Sequence, residues 1–176
     1  HYQFALPYLN NSHNLNFTDD EKARFGFYYF IIKMYTELSE YKDITKIITD
    51  TDFNAKFFNT PDVDEGIDAI YIDEENKLIQ LFNFKYRPTF KIDSTPSKDG
   101  ALKSSKFFNV LLTQNNNLNG RMKDEAQQII DKLNGKEVWN ISFYIVSNDN
   151  RTLEVSDSNI EQLKNIYGIE IHSIGL

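Results

Sequence analysis

Three polar residues lie in two apolar segments that are otherwise typical of a buried sheet. Asp68 lies in GIDAIYID, and Asn83 and Lys85 lie in IQLFNFKYR. Because side chains alternate faces along a strand, Asn83 and Lys85 project together. A carboxylate, an amide oxygen and an ammonium are costly to desolvate unless they bind something together. Oxygen ligands suit Mg²⁺, and an ammonium beside such an ion can hold a phosphate or a nucleophilic water.

The same residues also have an ordinary structural explanation. An aspartate at the start of a strand often serves as a turn or cap residue. A lysine at the end of a strand usually extends its ammonium group into solvent. The spacing alone favours this explanation, because an Asp followed on the next strand by Asn-x-Lys is a weak pattern.

A hairpin must bring the three residues together. Residues 67–73 and 78–86 are predicted strands, and EENK between them is typical of a tight connection, so we expect an antiparallel pair. Asp68 would then lie within reach of Asn83 and Lys85 at an edge of the sheet. DVDEG at 62–66 resembles the start of a calcium loop, but its glycine comes one position early and the closing Glu is misplaced. We therefore interpret it as the loop before the strand.

The remaining elements complete a mixed α/β domain. Thr18 and Glu21 form a capping box that begins a helix predicted over 19–41. Residues 43–58 are compatible with a helical turn or a short strand. We expect helices around a central mixed sheet in residues 18–176, after an irregular N-terminal segment at 1–17. The other predicted helices are 101–112, 122–133 and 159–167, and the other strands are 138–146 and 169–174.

Composition excludes several function classes. The 176 residues include no cysteine, so disulfide frameworks, cysteine zinc sites and thiol nucleophiles are excluded. A net charge of −7 argues against a broad basic face for nucleic acid, although not against a local basic groove. No apolar run has the length of a membrane span and no signal peptide opens the chain, so we expect a cytoplasmic protein without a membrane partner.

The two apolar segments also resemble a known family. DEGIDAIYID and IQLFNFKYR resemble the nuclease core of the PD-(D/E)XK superfamily, where an Asp is followed on the next strand by Asp, Glu or Gln, one residue, and Lys. GIDAI and KYR are similar to the N-terminal domain of abortive-infection phage-resistance (AIPR-type) proteins, and more distantly to Mrr-type restriction endonucleases. The resemblance implies a restriction-endonuclease-like fold, whose order of elements matches our predictions for 18–146.

The resemblance also implies roles for individual residues. Asp68 would be the metal-binding aspartate, Asn83 would occupy the second ligand position, and Lys85 would be the catalytic lysine. The family often adds an acidic residue from the first helix; Glu21 opens that helix, and Glu37 is the alternative. Asn83 departs from the pattern because a neutral amide replaces Asp, Glu or Gln. The implied cofactor is Mg²⁺ or Mn²⁺, and the site is expected to be weak, selective for its metal or inactive.

Two functions remain as hypotheses. The first is a metal-dependent nuclease domain of an anti-phage or restriction system, which hydrolyses phosphodiesters. The alternative is a catalytically degenerate nuclease fold that binds nucleic acid or a protein. The implied partner is a nucleic acid, DNA before RNA; a homodimer and a further C-terminal domain remain open.

Overall fold

The fold was analysed in a computed structural model that describes residues 5, 7–9, 15–60, 62–89, 103–149 and 158–175. Six helices in these ranges are labelled here in chain order. They are α1 (Asp19–Tyr35), α2 (Tyr41–Ile47), α3 (Thr51–Phe58), α4 (Ser105–Thr113), α5 (Gly120–Leu133) and α6 (Ser158–Tyr167). The strands are β1 (Ala69–Asp73), β2 (Leu78–Lys85), β3 (Asn140–Ser147) and β4 (Glu170–Gly175).

The four strands form one mixed sheet in the order β1-β2-β3-β4. The predicted hairpin is confirmed, since β1 and β2 pair antiparallel with Ala69 opposite Phe82 and Asp73 opposite Leu78. The Asp73 carboxylate accepts hydrogen bonds from two backbone N–H groups of the connecting turn, which holds the hairpin closed. The pairs β2–β3 and β3–β4 are parallel, with Lys85 opposite Ser147.

Helices cover both faces of this sheet, so the predicted α/β class with a mixed central sheet is confirmed. Side chains of β2 alternate between the two layers. Leu81 packs into the cluster formed with α4, α5 and α6, while Phe82 and Phe84 pack into the cluster formed with α1, α2 and α3. The continuous apolar character of β3 follows from this double coverage. Within the described ranges, no helix combines the length and the apolar character needed to cross a membrane.

The start of the chain differs from the sequence-based expectation. Ala5 and residues 7–9 are helical, although they lie in a segment predicted to be irregular, and Ala5 and Leu9 are fully buried in the core. Their apolar side chains pack with α1 and α2, which stabilises a helical conformation that this short polar segment does not favour by itself.

The first helix is shorter than predicted. α1 begins after Thr18 with the predicted capping box, but it ends at Tyr35 and not near residue 41. The Thr36 hydroxyl donates to the Ile32 carbonyl at 2.8 Å and accepts from the Leu38 N–H at 3.2 Å, so the chain turns here. The ambiguous stretch 43–58 contributes to two helices, α2 and α3, and between them Ile48 forms a bridge with Ala69.

Candidate metal centre

Asp68 directly precedes β1, and both its main chain and its carboxylate form hydrogen bonds with β2. Its backbone N–H donates to the Phe82 carbonyl at 2.7 Å. Its carboxylate oxygen Oδ2 accepts a hydrogen bond from the Phe84 N–H, beyond the last residue pair of the hairpin. The Asp68 side chain therefore contacts the main chain of β2 at the residue between Asn83 and Lys85.

Asp50 reaches the same place from the start of α3. It is the N-cap residue of this helix, and its Oδ1 accepts from the Phe53 N–H at 2.7 Å. Its Oδ2 accepts from the Tyr28 hydroxyl at 3.1 Å, and its backbone N–H donates to the Asp68 carbonyl at 3.1 Å. The cap therefore joins the start of α3 directly to the start of β1.

Asp64 comes from the loop that precedes β1. Its Oδ1 accepts from the Gly66 N–H at 2.7 Å, and its Oδ2 accepts from the N–H and the hydroxyl of Thr51 at 3.2 and 3.0 Å. Gly66 has φ +75°, and a Cβ there would lie 3.0 Å from Lys103 Cβ and from the Ser104 nitrogen. A glycine is therefore required for this loop to bring Asp64 against α3.

The three carboxylates form one compact cluster. One oxygen of each of Asp50, Asp64 and Asp68 lies within 4.8 Å of the others, and Asp50 and Asp68 are each 7% exposed. Burial raises the pKa of Asp68 well above its usual range, and the charges of Asp50 and Asp64 raise it further. Burial also raises the pKa of Asp50. A bound divalent cation would relieve this repulsion, and carboxylate oxygens are the ligands that hard cations prefer.

Asn83 supplies a second feature that fits a ligand. It is 2% exposed, and its Nδ2 donates to the Gly66 carbonyl at 2.7 Å. Its Oδ1 is buried without a hydrogen-bond partner, the one such side-chain atom among the described residues. Unsatisfied buried oxygens are rare in folded proteins, and an ion or a water commonly accounts for one. The orphaned oxygen belongs to an amide that holds the turn next to Asp64.

Lys85 supplies positive charge to this region. It is the last residue of β2 and is half-buried. Its ammonium lowers the pKa of Asp68, although burial of the carboxyl raises that pKa more strongly. The Asp68 carboxylate contacts the main chain of β2 between Asn83 and Lys85. That these three side chains cluster at one edge of the sheet stays a prediction.

Glu21 and Glu37, the acidic residues proposed from the first helix, lie outside the cluster. Glu21 completes the capping box at Thr18, and both of its oxygens contact Lys56 Nζ at 3.0 and 3.1 Å. Glu37 is exposed beyond the end of α1. The structure groups Asp68 with Asp50 and Asp64 instead.

Sequence reasoning did not identify Asp50 or Asp64 as candidate ligands. Asp64 lies in the DVDEG run, whose pattern indicates only a loop before the strand. Asp50 in TDTDF is a recognisable N-cap position, a sequence signal for the start of α3. Neither signal indicates proximity to Asp68, which depends on the packing of α3 against the start of β1.

Comparison with known proteins identifies no relative of this chain. No family model, no curated protein and no solved structure matches the chain. The carboxylates, the amide and the lysine described above are therefore the groups from which a function is inferred.

Proposed function

We propose that the chain is a metal-dependent nuclease domain of the PD-(D/E)XK kind, which hydrolyses phosphodiesters, in DNA before RNA, for an anti-phage or restriction system. The observation that carries this proposal is the cluster of Asp50, Asp64 and Asp68 beside Lys85 at the start of the hairpin. Three buried or half-buried carboxylates, with one oxygen of each within 4.8 Å of the others, offer a set of ligands that would suit a divalent cation.

The donor set fits Mg²⁺ or Mn²⁺. Each carboxylate offers about four lone pairs, and those of Asp50, Asp64 and Asp68 keep spare lone pairs beside the hydrogen bonds that they accept. Such an ion, when bound, polarises a phosphoryl oxygen and lowers the pKa of a coordinated water. Hydrogen bonds from the main chain and from Thr51 hold the carboxylates in place, which favours a preorganised site.

Lys85 would act on the substrate side of the site. As an ammonium near Asp68, it can orient the attacking water or stabilise the negative charge that develops on the phosphate. Asn83 is a neutral residue where the family pattern has Asp, Glu or Gln. Asp50 and Asp64 supply negative charge that Asn83 does not, which supports an active site despite this departure.

A cleavage assay tests the proposal. Purified protein is incubated with supercoiled plasmid, linear DNA and single-stranded RNA in Mg²⁺, Mn²⁺ or EDTA. We expect cation-dependent cleavage that is lost in Asp68→Asn and Lys85→Met and retained in Asp131→Asn, which changes an exposed carboxylate on α5. Equal cleavage by wild type and Asp68→Asn would refute the nuclease assignment.

A specific observation also favours the alternative function, a degenerate nuclease fold that binds nucleic acid or a protein. Each carboxylate of the cluster already stabilises the fold, because Asp50 caps α3, Asp64 binds Thr51 and Asp68 accepts from β2. Retention of nucleic acid in EDTA, without cleavage of any substrate in Mn²⁺, would support this alternative over the nuclease.

A further inference from the structure

Tyr28 of α1 contacts Asp50 of the carboxylate cluster and Phe84 of β2, whose N–H binds Asp68. Its hydroxyl donates to Asp50 Oδ2 at 3.1 Å. Its ring stacks on Phe84, with ring centroids 4.4 Å apart and an interplanar angle of 23°. Because the Phe84 N–H donates to Asp68, one side chain supports Asp50 directly and the strand segment that holds Asp68 indirectly.

The hydroxyl of Tyr28 is not required for packing. Tyr28 is 3% exposed, and its ring neighbours Phe25, Phe27 and Phe84 are apolar, so a phenylalanine would fill the same space. A buried hydroxyl needs a hydrogen-bond partner, and here the partner is Asp50. With the Phe53 N–H on Oδ1 and the Tyr28 hydroxyl on Oδ2, the rotation of the Asp50 carboxylate is fixed from both sides.

Arg24 offers Asp50 a competing partner. One of its guanidinium nitrogens lies 3.9 Å from Asp50 Oδ1, and the same group pairs with Asp52 at 2.9 Å. Without the Tyr28 hydroxyl, only the Phe53 N–H would hold the Asp50 carboxylate, and it binds Oδ1, the oxygen that Arg24 approaches. The hydroxyl on Oδ2 therefore opposes rotation of the carboxylate toward Arg24.

We propose that Tyr28 is a positioning residue for cation binding, acting through Asp50. The inference rests on the proposed function, in which the cluster holds a divalent cation. A separate sign of a ligand is Asn83 Oδ1, which is buried without a hydrogen-bond partner while the same amide donates to the Gly66 carbonyl, two residues from Asp64. Groups that hold a metal ligand through a hydrogen bond orient it and tune its affinity for the ion.

Calorimetric titration with Mn²⁺ of wild type, Tyr28→Phe, Tyr29→Phe and Asp68→Asn tests the inference. Tyr29→Phe is the matched control, because Tyr29 is the next residue of α1, is fully buried, and shares a 2.7 Å hydrogen bond with Thr45 and not with the cluster. We expect Tyr28→Phe to lower Mn²⁺ affinity about 10-fold. Tyr29→Phe should leave the affinity unchanged, and Asp68→Asn should abolish binding.

Two further readouts separate positioning from a general structural effect. Loss of Asp50 as a ligand admits water, so water-proton relaxivity of bound Mn²⁺ should rise in Tyr28→Phe and stay constant in Tyr29→Phe. In an Asp50→Asn background, which keeps a good N-cap residue, Tyr28→Phe should have no further effect on affinity. The retained ring keeps the stack on Phe84, so the variant is expected to fold, as circular dichroism can verify.

The outcomes distinguish this inference from the function on which it rests. Wild-type protein that binds no Mn²⁺ overturns the proposed metal site and the role of Tyr28 together. Binding that is lost in Asp68→Asn but unchanged in Tyr28→Phe overturns only the role of Tyr28. A 10-fold loss that persists in the Asp50→Asn background also overturns it, because Tyr28 would then not act through Asp50.

Discussion

The cluster predicts that neutralising Asp68 stabilises the cation-free protein. Asp68→Asn keeps the volume of the side chain and an oxygen that can accept from the Phe84 N–H, but it removes a buried charge beside Asp50 and Asp64. In EDTA at pH 8, we expect a higher free energy of unfolding for this variant than for wild type. This is the opposite of what most substitutions of a buried polar residue do.

The separation of the carboxylates sets the magnitude. At 4.8 Å and an effective dielectric constant of about 20, two unit charges repel by about 3.5 kcal/mol. The wild type can avoid this repulsion by protonating Asp68, which at pH 8 costs at most about 5.6 kcal/mol for a group with an unfolded-state pKa of about 3.9. The lost attraction to Lys85 and the burial of a new amide offset part of the gain, so we expect a net stabilisation of about 1 to 3 kcal/mol.

The pH dependence has a definite sign. Burial and the neighbouring carboxylates raise the pKa of Asp68, so the folded state binds its proton more tightly than the unfolded state. The resulting stability is fully present below the unfolded-state pKa and is lost as pH rises through the folded-state pKa. The advantage of Asp68→Asn over wild type should therefore grow from pH 5 to pH 8.

Urea unfolding followed by circular dichroism measures these differences. In EDTA, Asp131→Asn should differ from wild type by no more than about 0.5 kcal/mol. Saturating Mn²⁺ should stabilise wild type and Asp131→Asn, by about 2.7 kcal/mol at 100 times the dissociation constant, and leave Asp68→Asn unaffected. Lower stability of Asp68→Asn in EDTA at pH 8, or equal stabilisation of all three proteins by Mn²⁺, would refute the reasoning.

Three further predictions concern neighbouring residues. Lys85→Met should abolish plasmid cleavage without unfolding the domain, as circular dichroism can verify, and full activity in this variant would show that Lys85 takes no part in catalysis. Asn83→Asp should lower the free energy of unfolding in EDTA by about 2 kcal/mol, because the Gly66 carbonyl loses a donor and a fourth carboxylate is buried near the cluster. Urea unfolding should show that Mn²⁺ restores this loss. If Mn²⁺ does not restore it, residue 83 is not close to the bound ion. Glu21→Ala should lower stability by about 1 kcal/mol through the lost capping interaction. Its Mn²⁺ affinity in calorimetry should equal that of wild type, and a large loss would instead make Glu21 a ligand.

Most helices and strands could be predicted because their signals are local. The capping box at Thr18 and the apolar runs of β2 and β3 depend only on neighbouring residues. The end of α1 was predicted too late, since apolar residues continue past it at helical spacing. At that end the Thr36 hydroxyl accepts from the Leu38 N–H in place of a helical carbonyl, and hydrophobic periodicity does not predict this contact.

The sequence by itself determined where Asp68, Asn83 and Lys85 lie along the hairpin, because strand alternation and turn chemistry act over a few residues. Only the tertiary structure decided which acidic groups accompany Asp68. Glu21 instead caps its own helix and pairs with Lys56 of α3. The N-cap of α3 and the loop before β1 supplied Asp50 and Asp64 instead, because the Asp68 carbonyl accepts from the Asp50 N–H and Thr51 binds Asp64. Distances between side chains on separate elements follow from how those elements pack, and no short stretch of sequence carries that information.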